Sequence, residues 1–104
     1  MREPCAVFTR YDVPPAAWNV HLAKVRESVA LLERHPGYVD HLILQEQGKG
    51  EGMGLITLAI WRDDAALAAA RQAMQVQQQQ QGFDRQAYLQ AAGITVETGA
   101  FAVV

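Results

Sequence analysis

The sequence predicts a single α+β domain, an antiparallel sheet with its helices on one face. Three observations carry this expectation. Segments 5–13, 38–46, 53–61 and 94–104 are short and rich in β-branched, aliphatic and aromatic residues, and turn residues bound them. Between the first two lies a stretch whose apolar residues recur at the period of a helix face. After the third comes an alanine-rich run that opens on Asp63-Asp64, a helix start.

The first strand is Cys5–Val13, with Cys5, Val7, Thr9 and Tyr11 on one face and Ala6, Phe8 and Arg10 on the other. Tyr11 and Arg10 therefore cannot line the same wall. Pro14-Pro15 ends the strand, because proline lacks the ladder donor, and suits a helix first turn. A helix is expected over 15–34, with Trp18, Leu22, Val25, Val29 and Leu32 on its buried stripe. Pro36-Gly37 stops it, and His35 complements its carboxyl end.

The second strand covers 38–46. Gly48, Gly50, Gly52 and Gly54 then alternate with Lys49, Glu51 and Met53, a hairpin tip. A phosphate loop would need Lys followed by Ser or Thr at the mouth of a helix, and here a strand follows. The third strand is Met53–Trp61. The second helix starts near Ala65 under an Asp63 or Asp64 cap, runs into the glutamines at 75–81 and breaks at Gly82-Phe83. Asp84 caps a short helix over 85–92, stopped by Gly93, and the last strand, 94–104, is expected to bulge at Gly99. The order β-α-β-β-α-(α)-β is the split β-α-β pattern of ferredoxin-like domains.

The 104 residues suit one domain over 1–104, and no repeat or linker marks a second. The formal net charge of -2 has no basic stripe behind it, so nucleic acid is not an expected partner. Cys5 is the single cysteine, which excludes an internal disulfide and argues against a cysteine zinc site. The longest apolar run, 55–61, is too short to span a bilayer, and no signal-peptide core precedes the first strand. The expectation is a soluble, cytoplasmic protein.

The third strand is apolar on both faces. Leu55, Ala59 and Trp61 point one way and Ile56, Leu58 and Ile60 the other; the second strand sets Leu42 and Leu44 against Val39 and Ile43. Helices cover one face of such a sheet, so the other needs a partner, and a two-fold homodimer through the sheet face is the expected cover.

Arg71 stands out on the second helix. It shares a stripe with Leu67, Met74 and Gln78, where an arginine either snorkels to solvent or serves a pocket. In a pocket it would stabilise a phenolate or enolate. Trp61 is either a core anchor or a wall that stacks on a flat aromatic ligand. His21, at the border of the first helical stripe, and His41, on the second strand, are the candidate proton carriers. The three histidines have no metal-ligand spacing and no carboxylate cluster, so no metal site is expected.

Pro36-Gly37-Tyr38, followed by a hairpin and by the run from Ile56 through Trp61-Arg62-Asp63-Asp64 to Leu67, resembles the antibiotic biosynthesis monooxygenase domain of the dimeric α+β barrel superfamily. The resemblance covers most of the chain. It implies a pocket between sheet and helices lined by Trp61. It also implies oxidation of planar polycyclic phenols to quinones by molecular oxygen, without metal or flavin. Quinone-forming members carry an Asn four residues before the Trp, where this chain has Thr57. Haem-degrading members carry a His near the position of Arg71 and an Asn on the first strand, which argues against haem degradation here. The resemblance implies a cofactor-independent monooxygenase with Trp61 on the pocket wall; the residues themselves add Arg71, His21 and His41 as candidate catalytic groups and Thr57, Tyr11 and Met74 as candidate substrate contacts. The alternative is a non-catalytic small-molecule-binding or structural dimer with its pocket filled by side chains.

Overall fold

The computed structural model describes residues 3–47 and 53–104. Its elements are β1 (Cys5–Val13), α1 (Trp18–Leu32), β2 (Tyr38–Gln45), β3 (Met53–Trp61), α2 (Asp64–Gln81), α3 (Arg85–Ala92) and β4 (Thr95–Ala102). The antiparallel sheet has the order β2-β3-β1-β4, so β3 lies between β1 and β2 as the split β-α-β pattern requires. The expected tip at residues 48–52 lies outside the described residues.

Two helix details differ from expectation. The first helix does not begin at Pro15: Pro15–Ala17 is a 3-10 turn, closed by the Ala17 amide donating to the Pro14 carbonyl at 2.9 Å, and α1 follows. Neither proline has an amide to donate, so the chain tightens before the α-ladder starts. At the far end the amides of Glu33, Arg34 and His35 close turns onto α1. Asp63 caps α2 and Asp84 caps α3, each carboxylate accepting an amide three residues on.

Gly37 explains the Pro-Gly-Tyr turn. Its φ is +86°, and a Cβ there would lie 2.3 Å from the Ala66 Cβ. Its carbonyl accepts the Arg62 amide at 2.7 Å. The turn after α1 is thus pressed against the β3–α2 corner, and only glycine leaves room there.

The register of β4 on β1 runs without interruption through Gly99, which pairs with Phe8, so the expected bulge is absent. The irregularity falls on β2 instead, where Tyr38 pairs with Trp61 but Asp40 with Ile60. Val39 is the extra residue, 56% exposed, and the shift pairs Tyr38 with Trp61 instead of leaving it on the Asp40 face as strict alternation would have it.

Two buried clusters pack beneath the helices. Val13, Val25, Val29, Leu55, Leu89 and Ile94 form one; Cys5, Trp61, Ala66, Leu67 and Ala70 form the other. On the opposite sheet face the register brings Phe8, Leu58 and Leu42 into one row and Ile56 and Leu44 into the next. Leu42, Leu44 and Phe101 are largely exposed there. Among the described residues no helix is long and apolar enough to cross a membrane.

Candidate functional site

A cavity of about 410 Å³ opens between the helix-facing side of β1 and β3 and the three helices. Its lining encloses open space. Its floor follows from strand alternation: Val7, Thr9 and Tyr11 on β1 and Thr57, Ala59 and Trp61 on β3 all point the same way. Leu67, Ala70, Arg71 and Met74 on α2 line one side, at helical spacing. Of the expected site residues, Trp61, Thr57, Tyr11, Met74, Arg71 and His21 are all brought to this cavity.

His41 is not. It faces the helix side of the sheet, but β2 is an edge strand and contributes no lining residue. Its Nδ1 instead hydrogen-bonds the Tyr38 hydroxyl and lies 3.7 Å from the Glu33 carboxylate. Tyr38 in turn stands edge-on to Trp61, ring centroids 5.8 Å apart. The imidazole sits behind the tryptophan, outside the cavity.

The cavity has two unlike ends. At one, Trp61 is 2% exposed and packs with Cys5, Leu67 and Ala70; it is wall and core anchor at once. Burial pushes the Cys5 thiol up, and neighbouring Asp64 adds to the shift, so Cys5 is a protonated thiol and not a nucleophile.

At the other end His21 is 4% exposed. Its Nδ1 is 3.1 Å from the Tyr88 hydroxyl, and its ring meets Tyr11 edge-on at 4.5 Å. Nε2 is buried and has no hydrogen-bond partner among the described residues. Burial, then the charges of Arg85 and Lys24, lower the His21 pKa from its ordinary 6.5, so the ring is neutral at pH 7. Burial also raises the Tyr88 pKa, which keeps its O–H available to Nδ1. Lys24 lies over the rings of Tyr88 and Phe83, and Arg85 donates to the Tyr11 hydroxyl at 3.1 Å.

No protein-family model matches the chain, and no curated protein matches it in sequence. Solved structures do match. A monooxygenase candidate from Shewanella loihica PV-4 aligns with a TM-score of 0.76 at 21% identity, over 100% of this chain and 97% of that one. SnoaB, a cofactor-independent oxygenase from Streptomyces nogalater, aligns at 0.65 with 27% identity, over 98% and 94%. An antibiotic biosynthesis monooxygenase candidate from Bacillus cereus aligns at 0.60 with 12% identity, over 97% and 93%. This chain has the antibiotic biosynthesis monooxygenase-like, dimeric α+β barrel fold.

Within that monooxygenase-like fold, sequence reasoning missed Lys24, Phe83, Arg85 and Tyr88. Lys24 stands three residues after His21 on α1, and Arg85, Tyr88 and Leu89 follow helical spacing on α3. That spacing was visible. That α3 folds its Arg85–Tyr88 face over the His21 end was not. Among the described residues no group of three His, Cys, Asp or Glu could hold a metal ion.

Proposed function

We propose that this protein binds a planar phenolic or polycyclic molecule in the cavity and oxygenates it to a quinone with molecular oxygen and no cofactor. The observation that carries this reading is the joint presence of Arg71 and His21, whose Nε2 has no hydrogen-bond partner among the described residues, in one open cavity walled by Trp61. Trp61 offers an apolar surface to a flat ring. Neutral His21 takes a proton from the activated substrate carbon or hydroxyl. Arg71 stabilises the negative charge left on the ring system. The electron-rich anion then reduces oxygen; a ring CH2 and O2 become C=O and H2O. The likeness to SnoaB supports this chemistry.

The test is a polyhydroxylated anthrone incubated with the protein in air, following quinone absorbance and oxygen uptake. One O2 consumed per quinone, faster than in buffer, is the expected result. No acceleration with several such phenols overturns the oxygenase reading. It would favour the second one, a non-catalytic binding dimer, for which Thr57 at the position of the quinone-forming Asn speaks.

The assembly proposed is a homodimer through the open sheet face, supported by the exposed Leu42, Leu44 and Phe101 beside Phe8, Ile56 and Leu58. Sedimentation at micromolar concentration should give twice the chain mass; a monomer overturns it.

A further inference from the structure

Charge is distributed unevenly in the cavity. The chain has 11 acidic and 9 basic residues, yet the lining holds Lys24, Arg71 and Arg85 and, among the described residues, no Asp or Glu. None of these three cations forms an ion pair with a described carboxylate; the ion pairs present involve Arg10, Arg62 and His41. Lys24 and Arg85 are held by aromatic groups instead. The Lys24 ammonium lies 5.0 Å from the Tyr88 ring centre and 5.6 Å from that of Phe83. The Arg85 guanidinium lies 5.9 Å from the Tyr11 ring centre while it donates to the Tyr11 hydroxyl. Such contacts position a cation without neutralising it.

The two held cations sit at the His21 end, and Arg71 sits elsewhere. Arg71 lies on the α2 stripe with Leu67 and is near enough to Cys5 to lower its pKa slightly against the burial effect, which places it toward the Trp61 end. Along the floor, Val7 packs on the Trp61 cluster and Tyr11 on the other. Four residues of strand separate them, roughly 13 Å. That is about the length of three fused six-membered rings.

We infer that Lys24 and Arg85 form a carboxylate subsite at the Tyr11–Tyr88 end of the cavity, so that the preferred ligand is an elongated aromatic acid whose ionised group lies remote from Trp61. The inference rests on the flat-ligand reading above and narrows it. Two cations and the Tyr11 hydroxyl can share one carboxylate, and the rings beneath them match the carbon skeleton that carries it. The charges of Lys24 and Arg85 both act on the buried ring of His21, which puts the two cations at the same end of the cavity.

The experiment is calorimetric titration with anthraquinone-2-carboxylate and with the uncharged anthraquinone-2-carboxamide, which needs no turnover. The acid is expected to bind roughly tenfold tighter than the amide at low salt, with the advantage shrinking at high salt. Lys24→Met with Arg85→Gln should bring the two affinities together by weakening the acid alone. Arg71→Gln should leave the acid-to-amide ratio as it was. Both cations are exposed at the cavity mouth, so the double variant is expected to keep its melting temperature. Equal wild-type affinities overturn the subsite and leave the flat-ligand reading standing. A ratio that survives the double variant, or collapses in Arg71→Gln, overturns its location. Binding of neither probe overturns both.

Discussion

The two ends of the cavity are built on opposite terms. At the Trp61 end the packed groups are apolar and, Cys5 apart, close in sequence, with Arg71 the cation beside them: Trp61, Ala66, Leu67 and Ala70 belong to one strand–helix corner. At the His21 end they are polar or cationic and come from β1, α1 and α3, as far apart in sequence as Tyr11 and Arg85, or His21 and Tyr88. The first end derives its stability from burial. The second leaves, among the described residues, a buried nitrogen without a partner and two solvent-exposed cations without carboxylates. A buried polar atom without a partner costs stability, and sites of recognition or chemistry are where such atoms are found.

If this contrast is right, substitutions at the two ends should separate stability from function. The largest effect is expected at the packed end. Trp61→Ala should cost about 3–5 kcal/mol, read as a lowered urea midpoint, because the side chain is buried and little around it can collapse into the space. His21→Gln should lower quinone formation about 100-fold, measured as initial rate, while moving that midpoint far less. Arg71→Ala should weaken binding of an acidic phenol roughly tenfold and shift the melting temperature by no more than about 2 °C. A larger change in melting than in binding would assign Arg71 to packing.

Acid should expose the same contrast. The His21 pKa lies below 6.5 in the folded protein, whereas the unfolded chain holds it near that value. Stability from the neutral ring is therefore complete above pH 6.5 and is lost as pH falls through the lower folded-state value. His21→Leu should flatten the melting-temperature profile across that acid range. Burial first, then the charges of Arg85 and Lys24, disfavour the protonated ring, and Tyr88 hydrogen-bonds its Nδ1. The smallest effect is expected for His41→Ala. His41 is outside the cavity, and ligand affinity should stay within about twofold of wild type.

How far the site could be read from residues alone follows the same division. Trp61, Thr57, Arg71 and Met74 were legible because a strand alternates and a helix repeats, so their common face follows from spacing. His41 obeys the same alternation and was misassigned. Parity gives the face of a sheet but not the place across it, and an edge strand can face the helices without reaching the cavity. The misplaced bulge has a related cause. Gly99 permits one, but the register is set by pairing along the whole strand, and the extra residue is taken up at Val39.

The architecture was determined by the sequence itself: four strand patterns, the periodic first helix, and the Asp63-capped, alanine-rich helix after Trp61. Hydrophobic period, capping and the Pro36-Gly37 turn are local rules, and each acts within a few residues. The tertiary structure alone decided that α3 crosses the His21 end. It also decided that Lys24, Arg85, Tyr11 and Tyr88 meet there, and that the acidic residues face elsewhere. Those contacts join segments up to 74 residues apart, and no local period encodes which of them close on one another.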